Sequence, residues 1–264
     1  MKREGKGMNG NNNQQKLFII FDIETLVEDE LLKKAAKKNQ LERYNDENDE
    51  DYVPPAVYHL PVCISYLITN NGDFKFKNRE KFVFKSFFSK DPSKVVDLFF
   101  KVLYKAICLT KRKDNPFLPY PILVSHNGIK FDLPVLVMRA IKYYENLSEE
   151  SKSGLKEFLD ESDKWEKERA NYRSKYSIYN LDTFYYFYSS LKSIALLWGL
   201  ESKTFMDGSE VERFYKDGRF EEIAFYCAED VLTLGRILNK LLIAKGDAKV
   251  ALPKEIQCCK VIIE

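Results

Sequence analysis

The chain has 264 residues, 45% of them hydrophobic, and its 42 Lys and Arg nearly balance its 40 Asp and Glu. A chain of this length can bury the core of one large domain. Its net charge of +2 gives no bulk electrostatic argument for a nucleic-acid partner, so such a partner would have to be held by local patches. No apolar run approaches the roughly 20 residues that span a bilayer, so we expect a soluble protein without a membrane partner.

The cysteines follow neither a disulfide pattern nor a zinc-ligand pattern. Their number is odd, their spacing is irregular and no CxxC pair occurs. They are Cys63, Cys108, Cys227, Cys258 and Cys259. Free thiols favour a reducing compartment, and we expect the cytoplasm.

Residues 1–16 are rich in Gly, Asn and Gln and precede no apolar segment long enough for a signal peptide, so they predict a flexible leader. The stretch LFIIFDIET, Leu17 to Thr25, then predicts a buried strand. A charged insertion at about 28–55 ends in two prolines. The stretches LPVCISYLIT and KFVFKSFFS flank NNGD, which predicts an antiparallel hairpin that extends the sheet of the first strand.

The next segments alternate between helical and strand patterns. PSKVVDLFFKVLYKAICL has helical spacing, PILVS predicts a short buried strand, and a helix resumes at Leu133. Residues 145–175 are mostly charged and predict exposed helices in a peripheral flap. YSIYNLDTF predicts a strand, SSLKSIALLWGL a compact helix, and RFEEIAFYCAEDVLTLGRILNKLL the last long helix, which leaves 243–264 as a C-terminal extension.

The first strand ends in two carboxylates, Asp22 and Glu24. Side chains two apart in a strand share a face, whereas Ile23 between them faces away into packing. Two ionised carboxylates about 4 Å apart repel by about 4 kcal/mol at an effective dielectric near 20. A divalent cation is the simplest way to offset this repulsion, and a solvated strand end is the alternative.

Two later motifs carry further acids. HNGIKFD places Asp132 at the start of a helix, where the helix N-terminus favours an anion. In YCAED, Tyr226 and Asp230 lie four apart and so share one helix face. Each motif alone is typical of ordinary helix ends and surfaces, but the order D-x-E, N-G-x-x-F-D, Y-x-x-x-D is much less probable by chance.

That order resembles the tyrosine branch of the DEDD 3′–5′ exonucleases. It is more closely similar to the stand-alone predicted exonucleases related to the proofreading domain of family B DNA polymerases, on the segment from Met206 to Leu238. The resemblance covers Leu17 to about Leu242, which is the expected exonuclease domain at 17–242. It implies a ribonuclease-H-like α/β fold with a central mixed sheet, whose first three strands are antiparallel, and helices on both faces.

The resemblance also implies a role for each acid. Asp22 would bridge two Mg²⁺ or Mn²⁺ ions, Glu24 and Asp230 would complete the tighter site, and Asp132 would hold the second ion largely through water. Tyr226 would orient the attacking water. The chemistry is a two-metal phosphodiester hydrolysis, in which one ion activates water and the other stabilises the leaving 3′ oxygen.

Position 225 separates the two branches of this family. The sister branch has a histidine five residues before the last aspartate, where this chain has Phe225. The expected substrate contacts are Asn127, Phe131, Ile23 and Thr25, of which Asn127 could contact the 3′ end or brace the loop. Phe131 could stack on a terminal base, although core packing explains it equally well.

Several other polar residues have ordinary explanations. His126 and His59 are expected to be structural hydrogen-bonding residues, and Asp182 to cap a turn near the edge of the site. Lys111, Arg112 and Lys113 could touch phosphate, although a solvated loop explains them as well.

The expected activity is removal of nucleoside 5′-monophosphates from the 3′ end of single-stranded DNA, in association with a replication or repair complex. The same chemistry on RNA stays open, because the motifs do not encode 2′-hydroxyl contacts. A non-catalytic nucleic-acid-binding module of the same fold also stays open. A haloacid-dehalogenase-type phosphatase is disfavoured, because it needs an aspartate where this chain has Glu24.

Overall fold

The computed structural model describes residues 14–28, 31, 54–76, 79–160, 169–200 and 208–264. Most of the leader expected at 1–16, and most of the insertion expected at about 28–55, lie outside the described residues.

The described chain contains six strands in one mixed sheet. They are β1 (Leu17–Val27), β2 (His59–Asn70), β3 (Phe82–Phe88), β4 (Ile122–Ser125), β5 (Asn180–Asp182) and β6 (Lys260–Ile263). Their order across the sheet is β5-β4-β1-β2-β3-β6. The three strands β1, β2 and β3 are antiparallel neighbours, as predicted, and β4, β5 and β6 join in parallel.

The connection between β2 and β3 is longer than the tight turn that NNGD predicts. Pairing ends at Thr69 and Phe82, so residues 70–81 separate the two paired positions. The side chain of Asn70 accepts a hydrogen bond from the Gly72 N–H at 2.9 Å, and Asn71 accepts one from the Lys16 N–H at 2.7 Å. The side-chain amides of Asn70 and Asn71 therefore bind nearby backbone, and the bond to Lys16 attaches this wider loop to the start of β1.

The described chain also contains seven α-helices. They are α1 (Pro92–Thr110), α2 (Asp132–Lys142), α3 (Glu149–Leu159), α4 (Phe184–Phe187), α5 (Leu191–Leu197), α6 (Val211–Lys216) and α7 (Phe220–Ala244). Short 3₁₀ turns occur at Ala56–Tyr58, Tyr144–Asn146, Gly208–Glu210 and Ile256–Cys258. None of the helices in these described ranges combines the length and the apolar character needed to cross a membrane.

Helices cover both faces of β1. On one face, the ring of Phe21 lies 5.1 Å from the ring of Phe99 in α1. On the other face, Gly235 lets α7 approach closely, because an added Cβ would lie 2.9 Å from Leu252 Cδ2 and 3.4 Å from Ile20 Cδ1. Burial on both faces explains the unbroken apolar run that begins at Leu17. Since side chains alternate, the face of Ile20 that meets α7 is also the face of Asp22.

The charged segment at 145–175 packs against the core to a greater extent than an exposed flap would. Leu155 and Phe158 of α3 are buried, and so is Tyr172, whose hydroxyl donates to the Pro121 carbonyl at 2.9 Å. Gly154 permits the close crossing, because a Cβ there would lie 2.1 Å from the Phe100 carbonyl oxygen. A few apolar residues at helical spacing anchor this helix despite its high average charge.

The segment expected as a C-terminal extension contributes β6. Residues 85–88 of β3 pair in parallel with Lys260 to Ile263, and the Glu264 N–H donates to the Phe88 carbonyl at 3.0 Å. The extension therefore adds an edge strand to the sheet.

Candidate active site

The first part of the site comes from the end of β1. Glu24 pairs with Cys63 of β2, and Thr25 pairs with Pro61, so one residue of β2 is bulged out at this point. A bulge interrupts regular pairing and sharpens the local twist. Asp22 and Glu24 thus lie on the α7 face where β1 departs from a regular strand, and Glu24 is buried.

Two contacts hold α7 against this acidic pair. The buried hydroxyl of Ser86 donates to the Ala224 carbonyl at 2.8 Å, which joins the first turns of α7 to β3. The Cys227 thiol donates to the Asp22 carbonyl at 3.4 Å and lies 3.8 Å from the Asp22 carboxylate oxygen Oδ2. Asp230 stands one turn after Tyr226, and its charge raises the pKa of both Asp22 and Glu24.

Asp132 reaches the site from a loop with demanding backbone geometry. Asn127 has φ of +64°, a left-handed conformation that Asn tolerates better than most residues. A Cβ on Gly128 would lie 2.3 Å from Ser125 Oγ and 3.0 Å from the Asp132 oxygen Oδ2. The N-G pair therefore serves a turn that packs directly against the Asp132 carboxylate.

Asp182 at the end of β5 supports the same loop. Its carboxylate accepts backbone N–H bonds from Asn127 at 2.7 Å, from Ile129 at 3.0 Å and from Phe184 at 3.0 Å. The sequence predicts turn capping for this residue, and the structure shows that it also fixes the loop that presents Asp132.

Arg139 positions the helix that begins at Asp132. Its guanidinium is buried and donates to the His59 carbonyl at 2.8 Å and to the Val57 carbonyl at 3.1 Å. It also forms an ion pair with Glu28 at 2.7 Å. Because these partners lie just after β1 and at the start of β2, the interactions fix α2 beside the acidic end of β1.

The carboxylates share one electrostatic environment. Burial raises the pKa of Asp22 well above its ordinary value, and the nearby charges of Asp132 and Asp230 raise it further. Burial likewise raises the pKa of Glu24, with Asp22 and Asp230 as the next largest causes. Burial and the charge of Asp182 raise the pKa of Asp132 to about 8. The charges of Asp132 and Asp230 thus act on both Asp22 and Glu24, whose ligand oxygens lie within 4.8 Å of each other.

These residues fit a divalent cation. Asp132 is 5% exposed, and its oxygen Oδ2 has no hydrogen-bond partner among the described residues. A buried polar atom without a partner is destabilising unless a ligand satisfies it. Carboxylate oxygens are the ligands that Mg²⁺ and Mn²⁺ prefer. The donor set and the unpaired oxygen both agree with the cofactors expected from the sequence.

The sequence reasoning missed Cys227. One ligand atom each from Asp22, Glu24 and Cys227 lie within 4.8 Å of one another. Burial raises the pKa of the Cys227 thiol well above its ordinary value, and a hydrogen bond with Cys63 raises it further, so the thiol is neutral. Its position three residues before Asp230 on the same helix was the available signal, because residues three apart share a helix face.

The expected substrate contacts differ in accessibility. Asn127 and Phe131 are half-buried, and the ring of Phe131 meets the ring of His59 edge to face at 4.7 Å. Thr25 is also half-buried and hydrogen-bonds His59 Nδ1 at 2.8 Å. Ile23 is only 5% exposed and packs in the core, so its side chain offers a substrate almost no surface.

The histidines make structural hydrogen bonds. His59 Nε2 lies 3.0 Å from the Pro54 carbonyl, so it donates there, and Nδ1 accepts from the Thr25 hydroxyl. His126 Nδ1 lies 2.9 Å from Thr183 Oγ1, and burial lowers the pKa of His126. Lys111, the first of the three loop cations, pairs with Glu157 of α3 at 3.0 Å.

The sheet is mixed and six-stranded and has helices on both faces, which is the architecture of a ribonuclease-H-like exonuclease domain. The expected acids lie on its central strand, in the first turn of α2 and on the last long helix. Residues 50–246 match the model of a family described as predicted 3′–5′ exonucleases related to the exonuclease domain of PolB. The chain belongs to this family, which confirms the resemblance. A comparison with curated proteins gave no match.

The family match contains three of the five expected catalytic residues, Asp132, Tyr226 and Asp230. It begins after β1, so Asp22 and Glu24 lie outside it. Their place in the site therefore rests on the structure, in which β1 lies between β2 and β4.

Proposed function

We propose that the protein is a metal-dependent 3′–5′ exonuclease that hydrolyses single-stranded DNA from its 3′ end and releases nucleoside 5′-monophosphates. The observation that carries the proposal is the electrostatic coupling of Asp22 and Glu24 to Asp132 and Asp230, beside a buried Asp132 oxygen that has no hydrogen-bond partner among the described residues. Membership of a predicted exonuclease family supports the same reaction class. Five free thiols support a reducing, cytoplasmic location.

In this proposal the four carboxylates would hold two Mg²⁺ or Mn²⁺ ions, with Asp22 shared between them. Bound cations would supply Lewis acidity toward the attacking water and toward the leaving 3′ oxygen. Glu24 and Asp230 would complete one site, and Asp132, which enters from a separate loop, would contribute to the other. Asn127 and Phe131 lie on the Asp132 side and would contact the terminal nucleotide.

Tyr226 would position the attacking water through its hydroxyl. The side chain is buried except for a small exposed part, and Lys192 Nζ lies 5.9 Å from its ring. The hydroxyl faces the start of the 3₁₀ turn at Gly208, where an added Cβ would lie 3.9 Å away. A phenol buried to this extent can hydrogen-bond a water in a fixed direction.

Tyr226→Phe should slow single-turnover cleavage by about 10- to 100-fold, because a positioning hydrogen bond is lost while the carboxylates remain. Metal affinity, measured by calorimetry, should stay near the wild-type value. Tyr215→Phe is a matched control, since it removes a hydroxyl from a tyrosine that packs against Phe88 instead. A wild-type cleavage rate for Tyr226→Phe between pH 7 and 9 would make the tyrosine structural.

The proposed function is tested with linear and circular single strands of the same sequence. Linear DNA should be shortened from its 3′ end in Mg²⁺ or Mn²⁺, EDTA should stop the reaction, and the circle should stay intact because it has no terminus. Circles cut as fast as linear strands would instead establish an endonuclease. A matched RNA strand degraded faster than the DNA would assign the activity to RNA.

A further inference from the structure

A groove beside the candidate site is lined by tyrosines and lysines that the hydrolytic chemistry does not use. Four tyrosines from the segment around β5 and α4 line this cavity of about 780 Å³, together with lysines from three parts of the chain. We call it the tyrosine groove, and its lining includes Tyr176, Tyr185, Tyr186, Tyr188, Lys175 and Lys245. Tyr176 is 84% exposed and Tyr188 is 70% exposed.

The tyrosine groove is continuous with the loop that presents Asp132. Asp182 lines the groove and binds that loop through the Asn127 and Ile129 N–H groups. Lys130, two residues before Asp132, places its Nζ 5.8 Å from the centre of the Tyr185 ring. Lys175 Nζ lies 5.6 Å from the same ring and 5.0 Å from that of Tyr176. Alternating cations and rings thus lead away from the carboxylates.

At the far end of the groove, a lysine again lies beside a tyrosine ring. Lys245 Nζ lies 4.8 Å from the centre of the Tyr186 ring and donates to its hydroxyl at 3.0 Å. Lys16 also lines the groove and pairs with Asp247 at 3.0 Å. Lys16 lies six positions before Asp22 along extended chain, which corresponds to roughly 20 Å. The path from the carboxylates to this end of the groove is therefore long enough for several nucleotides.

The charge in the groove favours a polyanion. Lys175 in the lining and Lys130, which lies beside the groove at Tyr185, are exposed, and neither forms an ion pair with another described residue. Of the two acids in the lining, Asp182 accepts three backbone N–H bonds and Asp247 pairs with Lys16. Exposed rings provide stacking surfaces for bases, and free ammonium groups provide contacts for phosphates. Single-stranded nucleic acid alternates bases with phosphates, so it matches both kinds of contact.

We propose that the tyrosine groove binds the single strand on the 5′ side of the nucleotide being removed. Bases would stack on the exposed rings of Tyr176 and Tyr188, and phosphates would contact Lys130 and Lys175. The proposal deepens the proposed function, on which it rests, because the strand that leaves the carboxylates enters the groove beside Asp182.

Binding is measured with a labelled oligothymidine decamer and an Asp22→Asn background that prevents degradation. Tyr176→Ala and Tyr188→Ala should each weaken binding about 10-fold, and Tyr176→Phe should restore it because the ring is kept. Lys175→Gln should lower the slope of log affinity against log salt concentration by about one, which corresponds to the loss of one phosphate contact. Tyr144→Ala should leave binding unchanged, because Tyr144 is an exposed tyrosine with Lys152 5.4 Å from its ring, but it lies outside the groove.

The results separate this proposal from the proposed function. If the wild-type protein degrades 3′ ends while the alanine variants bind the decamer normally, the groove proposal is wrong and the exonuclease proposal stands. If the wild-type protein degrades nothing while the alanine variants lose binding, the exonuclease proposal is wrong and the groove is a single-strand binding site without that activity. Polyglutamate tests for an acidic protein partner. If it binds the groove as tightly as the decamer and loses affinity in the same alanine variants, the groove binds such a partner and the proposal is overturned.

Discussion

Asp22→Asn is expected to abolish cleavage, with a loss of about 10³-fold or more in the single-turnover rate, and to leave the fold intact. Asparagine keeps the volume of the side chain and its place on β1 but removes the charge. The charges of both Asp132 and Asp230 raise the pKa of Asp22, so it is the carboxylate best placed to be shared by two cations. A loss of about 4 kcal/mol in transition-state stabilisation corresponds to this factor.

The measurement combines single-turnover cleavage of a labelled strand with calorimetric titration of Mn²⁺. Asp217→Asn is a suitable control, because Asp217 is an exposed aspartate in the turn between α6 and α7. It should retain wild-type activity and metal binding. Near-normal cleavage by Asp22→Asn would remove the central ligand of the proposed site and contradict the mechanism.

Without metal, the protein is expected to become less stable as the pH rises from about 5 to about 9. Burial raises the pKa values of Asp22, Glu24 and Asp132 in the folded state, that of Asp132 to about 8. The folded state therefore binds protons more tightly than the unfolded state, and stability falls as these groups lose them. At about 1.4 kcal/mol per pKa unit, the melting temperature should fall on the order of 10 °C.

Mg²⁺ should reverse this loss most strongly at high pH, where the carboxylates are ionised and free to bind it. Asp132→Asn should flatten the pH dependence in EDTA, because an amide does not ionise, and Asp217→Asn should not. The comparison uses thermal denaturation followed by circular dichroism across the pH series, with and without Mg²⁺. A melting temperature that rises with pH in EDTA would contradict the buried acidic cluster.

Local patterns in the sequence predict much of the sheet and the longest helices. The apolar run at Leu17 predicts β1 because helices bury both of its faces, and the apolar spacing along α7 predicts a helix that packs on one side. The alternation of side chains along β1 predicts that Asp22 and Glu24 share a face. The structure shows in addition that this face meets α7.

Features that depend on distant contacts could not be predicted in the same way. The four-residue strand β6 forms because β3 offers an open edge, and its own sequence KVII carries little information about a partner. The burial of α3 depends on Gly154, which matters only because α1 crosses at that point. The Cys227 thiol lies beside Asp22 although 205 positions separate the two residues in the chain.

Because β1 lies inside the sheet, the family match and the folded unit do not begin at the same residue. The match begins at residue 50, whereas β1 lies in the middle of the sheet, with β2 on one side and β4 on the other. A fragment cut at that point would leave β2 and β4 as two unpaired edges facing an empty position. Exposed apolar edges pair with other chains, so such a fragment would be prone to aggregation. Residues that precede the family match thus supply both a central strand of the fold and two of its candidate ligands.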